Sequence, residues 1–213
     1  MTRIPEFVKN ASFETKILLL LLVPVAIVML LHYLVTGFVI YNDGIGYYTY
    51  IRSLVIDNDL DFSNEWSYYN SSYSKFSNVP RGVNFLLEAK TPKGYVENIY
   101  LIGNGLMWAP FFLAAHAASI ILNKVGLPVN PDGYNIIYEA GIGLATLFYG
   151  FLAMLIIYRF SRKWFDNKTS LLATVGILYG TAAFWFHAAE PSMSHINSVF
   201  LGALFAYFWH STL

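Results

Sequence analysis

The feature that most constrains this chain is a long apolar run near its N-terminus, ILLLLLVPVAIVMLLHYLVTGFVIY, over residues 17–41. A helix of about 20 apolar residues is enough to cross the hydrocarbon core of a bilayer. The run is too long for the core of a signal peptide, and no small-residue cleavage site closes it. We therefore expect a retained membrane span. The basic residues before it, Arg3, Lys9 and Lys16, predict a cytoplasmic N-terminus.

Composition extends this expectation to most of the chain. Apolar residues make up 56% of the 213 residues and charged residues only 12%, whereas a soluble domain is about 25% charged. The formal net charge is zero, which argues against the broad basic surface of a nucleic-acid-binding protein. The chain has no cysteine, so disulfides, thiolate metal sites and cysteine nucleophiles are excluded.

The charges of one loop constrain the topology. Four further apolar segments follow the first, at 99–122, 134–158, 170–187 and 196–213. If all of them crossed the membrane, the loop RFSRKWFDNK would lie outside. Its four basic residues against the single acid Asp166 mark it instead as cytoplasmic. One segment must therefore not cross.

The segment least suited to crossing is YLIGNGLMWAPFFLAAHAASIIL, because Pro110 is expected to interrupt its helix. We expect residues 99–122 to form an interfacial or re-entrant helix, with Trp108, Phe111 and Phe112 at the level of the lipid headgroups. The alternative is a five-span protein that violates the charge rule.

The sequence thus predicts an all-α, polytopic transmembrane helix bundle. Its spans are 17–41, 134–158, 170–187 and 196–213, and its long outer loop, 42–133, contains interfacial amphipathic helices. The last segment ends without a charged stop, so we expect residues 1–213 to be the first part of a longer bundle.

Asp43 follows the first span directly, within YNDGIGYYTYIRSLVI. One interpretation is structural: Asn42 or Asp43 caps the following helix. The other is functional, because a carboxylate at the edge of the hydrocarbon is costly and can act as a general base or hold a cation.

Two other groups of residues suit chemistry at the same membrane face. In HAAEPSMSHIN, Glu190 and His195 are possible ligands for a divalent metal ion, although two ligands do not complete a site; the alternative is that His195 caps or hydrogen-bonds the next helix. Arg52, Lys90 and Lys93 in the outer loop can bind a phosphate or only balance nearby acids.

The order of these elements resembles the N-terminal half of the GT-C type membrane glycosyltransferases, in particular the family 39-like, protein mannosyltransferase and aminoarabinose transferase-like group. The resemblance is carried by NDGIGYYTYIRSLVIDNDLDFSNE, by LIGNGLMWAPFFLAAH and by the outward span that ends in EPSMSH. It implies that Asp43 is the catalytic base or a metal-site residue. It implies that Glu190 is a further catalytic acid, with His195 as a candidate ligand. The chain has Asp43-Gly44 where many relatives carry two adjacent acids.

The resemblance further implies a function: transfer of a sugar from a polyprenyl-phosphate carrier to an acceptor on the outer face of the membrane. The bilayer and the lipid-linked donor would be the partners, and the plasma membrane of a prokaryote the location. A non-catalytic membrane scaffold of the same architecture is the alternative. A transporter is a third hypothesis, which the few charged groups within the spans disfavour; Glu139 is the main exception.

Overall fold

In the computed structural model, which describes residues 13–74 and 89–212, the chain is all-helical. The described residues contain no β-strand; Lys90 and Val96 pair only as an isolated antiparallel bridge. The α-helices are α1 (Phe13–Thr36), α2 (Asp43–Arg52), α3 (Ser63–Ser74), α4 (Gly103–Lys124), α5 (Ile136–Ser161), α6 (Asn167–Gly180), α7 (Ala183–Ala188) and α8 (His195–Ser211), and a π-helical turn, Ser53–Asp57, continues α2. The predicted α class is confirmed.

Three of these helices, α1, α4 and α5, are long and apolar enough to cross a membrane. With 24, 22 and 26 residues, each is about 33 Å long or more at a rise of about 1.5 Å per residue. The hydrocarbon core is about 30 Å thick. Helix α1 ends at Thr36, before the predicted limit of 41, because Gly37 adopts a left-handed backbone with φ of 77°.

The expectation that Pro110 interrupts its segment is wrong. Helix α4 runs through Pro110 without a break. The proline removes one backbone hydrogen bond, and an apolar helix of this length tolerates that loss. The side chains of Trp108 and Phe112 are fully buried in the protein, with edge-on ring contacts to Tyr47 and Tyr48 of α2. The interfacial position of residues 99–122 stays a prediction.

The predicted span 170–187 is not one helix. Helix α6 ends at Gly180, Thr181 is extended, and α7 begins at Ala183. The Thr181 hydroxyl donates to the Ile177 carbonyl at 2.7 Å and accepts from the Ala183 N–H at 3.1 Å, so a single side chain serves both helix ends. With 14 residues, α6 is only about 21 Å long.

The described residues form two compact units. One contains those up to Val35 and those from Thr146 onward, and the other contains Thr36–Ala145. The first has a buried cluster of Leu18, Met154, Tyr158 and Leu178. In the second, the largest fully buried side chains are aromatic: Tyr48, Trp66, Tyr69, Trp108, Phe112 and Tyr138. This second unit contains Asp43.

Candidate active site

Asp43 is the first residue of α2 and its side chain is half-buried. The Tyr100 hydroxyl donates a hydrogen bond to Asp43 Oδ1 at 2.9 Å. Burial, and secondarily this hydrogen bond, raises the pKa of Tyr100, so the phenol keeps its proton and remains the donor. The carboxylate of Asp43 is thus held in one orientation while part of it stays accessible, as a general base requires.

Two glycines allow Tyr100 and α4 to come close to α2. A Cβ on Gly46 would lie 2.5 Å from Cγ and 2.6 Å from Cε2 of Tyr100, and a Cβ on Gly105 would lie 2.7 Å from the Tyr47 carbonyl oxygen. No real Cβ is accommodated at such distances. Small residues at these two positions therefore let the aromatic ring lie against the helix that begins with Asp43.

The chain before helix α4 is anchored to α2 by hydrogen bonds. The Asn98 amide donates to the Gly46 carbonyl at 2.8 Å and to the Thr49 hydroxyl at 3.0 Å. The Tyr50 hydroxyl donates to the Tyr100 carbonyl at 2.8 Å. These bonds fix the backbone of Tyr100 and hence the phenol that contacts the acid.

The predicted cap on α2 is only partly found. Asn42 precedes the helix but its side chain makes no capping hydrogen bond, and its backbone is left-handed with φ of 52° and ψ of −133°. Such a conformation is uncommon for a residue other than glycine, although asparagine tolerates it better than most. At Asn42 the chain turns sharply, so that the segment that follows α1 leads directly into α2.

Arg52 lies in a buried ion cluster. Its side chain is 6% exposed, and its guanidinium pairs with Asp57 and, at 2.7 Å, with Glu65. Its Nε donates to the Asp132 carbonyl at 2.9 Å, and the guanidinium carbon lies 4.2 Å from the centre of the Tyr134 ring. The charge of Arg52 is therefore already balanced inside the protein, which leaves it little capacity for a phosphate.

The carboxyl of Glu65 is the unusual member of this cluster. It is fully buried and its Oε2 has no hydrogen-bond partner among the described residues. Burial raises the pKa of Glu65 to about 7, and the contact with Arg52 acts in the opposite direction. For Arg52 burial acts in the other direction and lowers the pKa. The pairing with Glu65 and the charge of Asp57 outweigh burial and raise the pKa of Arg52 overall, so the guanidinium stays charged.

Lys90 and Lys93, by contrast, are exposed on a small hairpin. The Thr91 N–H donates to the Tyr95 carbonyl and the Gly94 N–H to the Thr91 carbonyl, both at 2.8 Å. Gly94 has φ of 87°, as this tight turn requires. Neither lysine forms a salt bridge with a described residue. The hairpin leads directly into the anchored segment 98–100. Because both lysines are exposed, an anion in solution can reach them.

Glu190 and His195 lie in the other unit, between α7 and α8. Glu190 is half-buried, and its charge interacts with His32 of α1. His195 is the exposed first residue of α8, and its ring lies 3.7 Å from that of Phe186. No described residues form a group of three or more His, Asp or Glu side chains suited to a metal ion. The donor set for a divalent metal is thus incomplete there, and a shared site of Asp43 and Glu190 stays a prediction.

Sequence reasoning missed Tyr100 and Gly46, which form the immediate surroundings of Asp43, and it read Glu139 only as an isolated charge within a span. Tyr100 lies 57 residues from Asp43 along the chain, and no local pattern links such positions. The one available signal was the pair of glycines in DGIGYY, which is unusual for the interior of a short helix.

Comparison of the chain with protein-family models, with curated proteins and with solved structures finds no match in any of the three.

Proposed function

We propose that this protein is a polytopic membrane glycosyltransferase that moves a sugar from a polyprenyl-phosphate carrier to an acceptor at the outer face of the membrane. The observation that carries the proposal is the setting of Asp43. This acid directly follows the first apolar helix, is oriented by the Tyr100 hydroxyl and remains partly accessible. The order of the chain's segments, which resembles that of the GT-C group, supports it.

In the proposed reaction, Asp43 accepts the proton of an acceptor hydroxyl. The resulting oxygen nucleophile attacks the anomeric carbon of the lipid-linked sugar. The bond from that carbon to the phosphate oxygen breaks, and the carrier phosphate leaves with the bonding electrons. Attack from the face opposite the phosphate inverts the anomeric configuration. A positioned general base of this kind contributes about 10²–10⁴-fold to a rate.

Negative charge grows on the departing phosphate, and cations near it lower the barrier. Lys90 and Lys93 suit this role because both are exposed and form no salt bridge with a described residue. Arg52 suits it less, because two carboxylates and a backbone carbonyl already engage its guanidinium. We therefore assign the phosphate to the two lysines and give Arg52 the task of holding the outer loop together.

The proposal requires the N-terminus in the cytoplasm and Asp43 outside. The basic loop after α5 supports this topology if α1 and α5 cross and α4 does not. The loop Arg159–Lys168 then lies in the cytoplasm, as its excess of basic residues predicts. The role of Glu190 as a further acid rests on the resemblance alone. The described residues offer no group of three or more His, Asp or Glu side chains suited to a metal ion, and no step is assigned to one.

The test is Asp43→Asn in the full-length protein, assayed in membranes with a panel of radiolabelled polyprenyl-phosphate sugars. Asparagine keeps an oxygen that can accept the Tyr100 hydrogen bond, but it cannot take a proton at neutral pH. We expect transfer to fall by about 10²-fold or more, with expression and thermal stability unchanged.

The matched control is Asp61→Asn. Asp61 is also half-buried in the same unit, and its Oδ1 accepts the Ser63 N–H at 3.1 Å, a bond that asparagine can also accept. This variant should transfer sugar at the wild-type rate. Normal transfer by Asp43→Asn would remove Asp43 from the mechanism. A wild-type protein that transfers none of the sugars would favour the scaffold alternative.

A further inference from the structure

The connector that places Asp43 has a defined and costly backbone. Residues 37–42 join α1 to α2, and the connector has a left-handed residue at each end, Gly37 with φ of 77° and Asn42 with φ of 52°. Asn42 is not a glycine, so its conformation costs free energy and persists only if the surroundings enforce it. Something must hold this connector.

The carboxylate of Glu139 makes that contact. Its Oε2 accepts hydrogen bonds from two consecutive backbone N–H groups, Val39 at 2.7 Å and Ile40 at 2.8 Å. Glu139 is only 7% exposed, and Val39 and Ile40 are 6% and 1% exposed. A hydrogen bond is stronger where water is excluded, so two of them on one buried oxygen hold the connector firmly.

The position of Glu139 in its own helix also suits this task. It lies in the first turn of α5, where the helix dipole favours a negative charge. Without the carboxylate, two buried N–H groups would lose their acceptor, at a cost that the connector can avoid only by moving. The connector is continuous with Asp43, so such a movement would shift the acid against Tyr100.

We infer that Glu139 is the positioning residue for Asp43: it clamps the backbone of Val39 and Ile40 and so sets where the acid stands. Its effect on sugar transfer rests on the proposed function, whereas the clamp itself does not. By its position alone, near the end of an apolar helix, Glu139 suggests a role in transport. We assign it instead to positioning Asp43 through the connector.

The clamp is tested by hydrogen exchange of the purified full-length protein in lipid nanodiscs, followed by mass spectrometry of peptides that cover residues 37–43. Glu139→Ala should speed exchange at Val39 and Ile40 by roughly tenfold or more, since each N–H loses its buried hydrogen bond to the Glu139 carboxyl. Peptides from α3 should be unchanged. The matched control is Glu97→Ala, which removes an exposed carboxyl of the same unit and should leave the connector at its wild-type rate.

Glu139→Gln keeps an oxygen acceptor without the charge, so its connector should exchange at a rate between those of wild type and Glu139→Ala. If Glu139→Ala does not fold, this intermediate rate in Glu139→Gln is the deciding observation. Unchanged exchange at residues 39 and 40, or faster exchange spread evenly over the unit, would overturn the inference.

The sugar-transfer assay adds the functional half. Glu139→Ala should lower kcat by roughly tenfold to a hundredfold, as displacement of a reacting group does, with KM for the donor nearly unchanged and partial recovery in Glu139→Gln. Wild-type kcat in Glu139→Ala would refute positioning while leaving the glycosyltransferase proposal intact. Faster connector exchange in a protein whose wild type transfers no sugar would refute the proposed function and leave the clamp.

Discussion

The contact between Gly46 and Tyr100 gives the sharpest prediction for the surroundings of Asp43. In Gly46→Ala, the new methyl group would lie 2.5 Å from Cγ and 2.6 Å from Cε2 of Tyr100, and closer still to Cδ2. The ring cannot simply move away. Its backbone carbonyl accepts from Tyr50, its hydroxyl donates to Asp43, and its edge meets the Tyr47 ring at a centroid distance of 5.3 Å.

The magnitude follows from three opposing effects. Replacing a helical glycine by alanine stabilises a helix by about 1 kcal/mol. Forcing an extra methyl group into a packed region costs about 1–3 kcal/mol. Losing the hydrogen bond from Tyr100 to the charged Asp43 costs about a further 1.5–3 kcal/mol. We therefore expect Gly46→Ala to lower the free energy of unfolding by about 1.5–5 kcal/mol and, on the proposed function, to weaken sugar transfer as well.

The assay is thermal or denaturant unfolding of the protein in detergent, arranged as a double-mutant cycle. Tyr100→Ala removes the ring atoms that the new methyl group meets, so in that background Gly46→Ala should be neutral or stabilising by up to about 1 kcal/mol. The control is Gly176→Ala, a helical glycine in α6 with nothing within 4 Å of the added Cβ. An equal cost of Gly46→Ala in the two backgrounds would show that the Tyr100 ring is not the obstacle and refute the reasoning.

Three further predictions concern other parts of the chain. Burial raises the pKa of Glu65 to about 7 from an ordinary value of 4.5. The folded state therefore binds more protons than the unfolded state between these two values, and its stability falls as pH rises from about 4.5 to 7. Glu65→Gln should flatten this pH dependence in melting curves recorded from pH 4.5 to 7, and an unchanged slope would assign the pH dependence to another group. Replacing Lys90 and Lys93 together by alanine should raise KM for the lipid-phosphate donor about tenfold without changing the melting temperature, whereas an unchanged KM would place the phosphate elsewhere. Gly150→Ala should destabilise the unit that contains it by about 1–3 kcal/mol. The added Cβ would lie 2.9 Å from Nδ1 of the buried His187 and nearer still to two other atoms of that ring. A melting temperature at or above that of the wild type would contradict this close contact between residue 150 and His187.

The helical class and the long apolar helices could be predicted because they depend on local composition. Residues 17–41 and 134–158 are apolar over a length that only a buried or membrane helix uses, and each range lies largely within a long helix, α1 or α5. The errors arose where one residue was weighed against its surroundings. Pro110 has a low intrinsic helix propensity, but one missing hydrogen bond did not outweigh the rest of α4. Threonine is not a strong helix-breaking residue, yet the chain is extended at Thr181 and its hydroxyl hydrogen-bonds the ends of two helices, so the segment 170–187 is divided there.

The candidate site was only half accessible to sequence reasoning. Asp43 could be singled out from the sequence because a charged side chain beside an apolar run carries a desolvation cost whatever the fold is. Tyr100, Gly46 and the acceptor role of Glu139 could not, because each depends on a contact between residues more than 50 positions apart. Arg52 shows the converse: its charge and its place in the predicted outer loop suggest a phosphate ligand, and only the three-dimensional contacts with Asp57 and Glu65 show that the charge is already balanced.

The contacts of Asp43 and Arg52 show how the fold holds the Asp43 carboxyl without a cation beside it. Asp43 receives its hydrogen bond from a phenol rather than from a cation, so no described group neutralises its charge by direct pairing. The cation nearest to it in the chain, Arg52, is directed instead to Asp57 and Glu65. The fold thus engages Arg52 elsewhere and fixes Asp43 with a neutral donor, which leaves the Asp43 carboxylate without a cationic partner among the described residues.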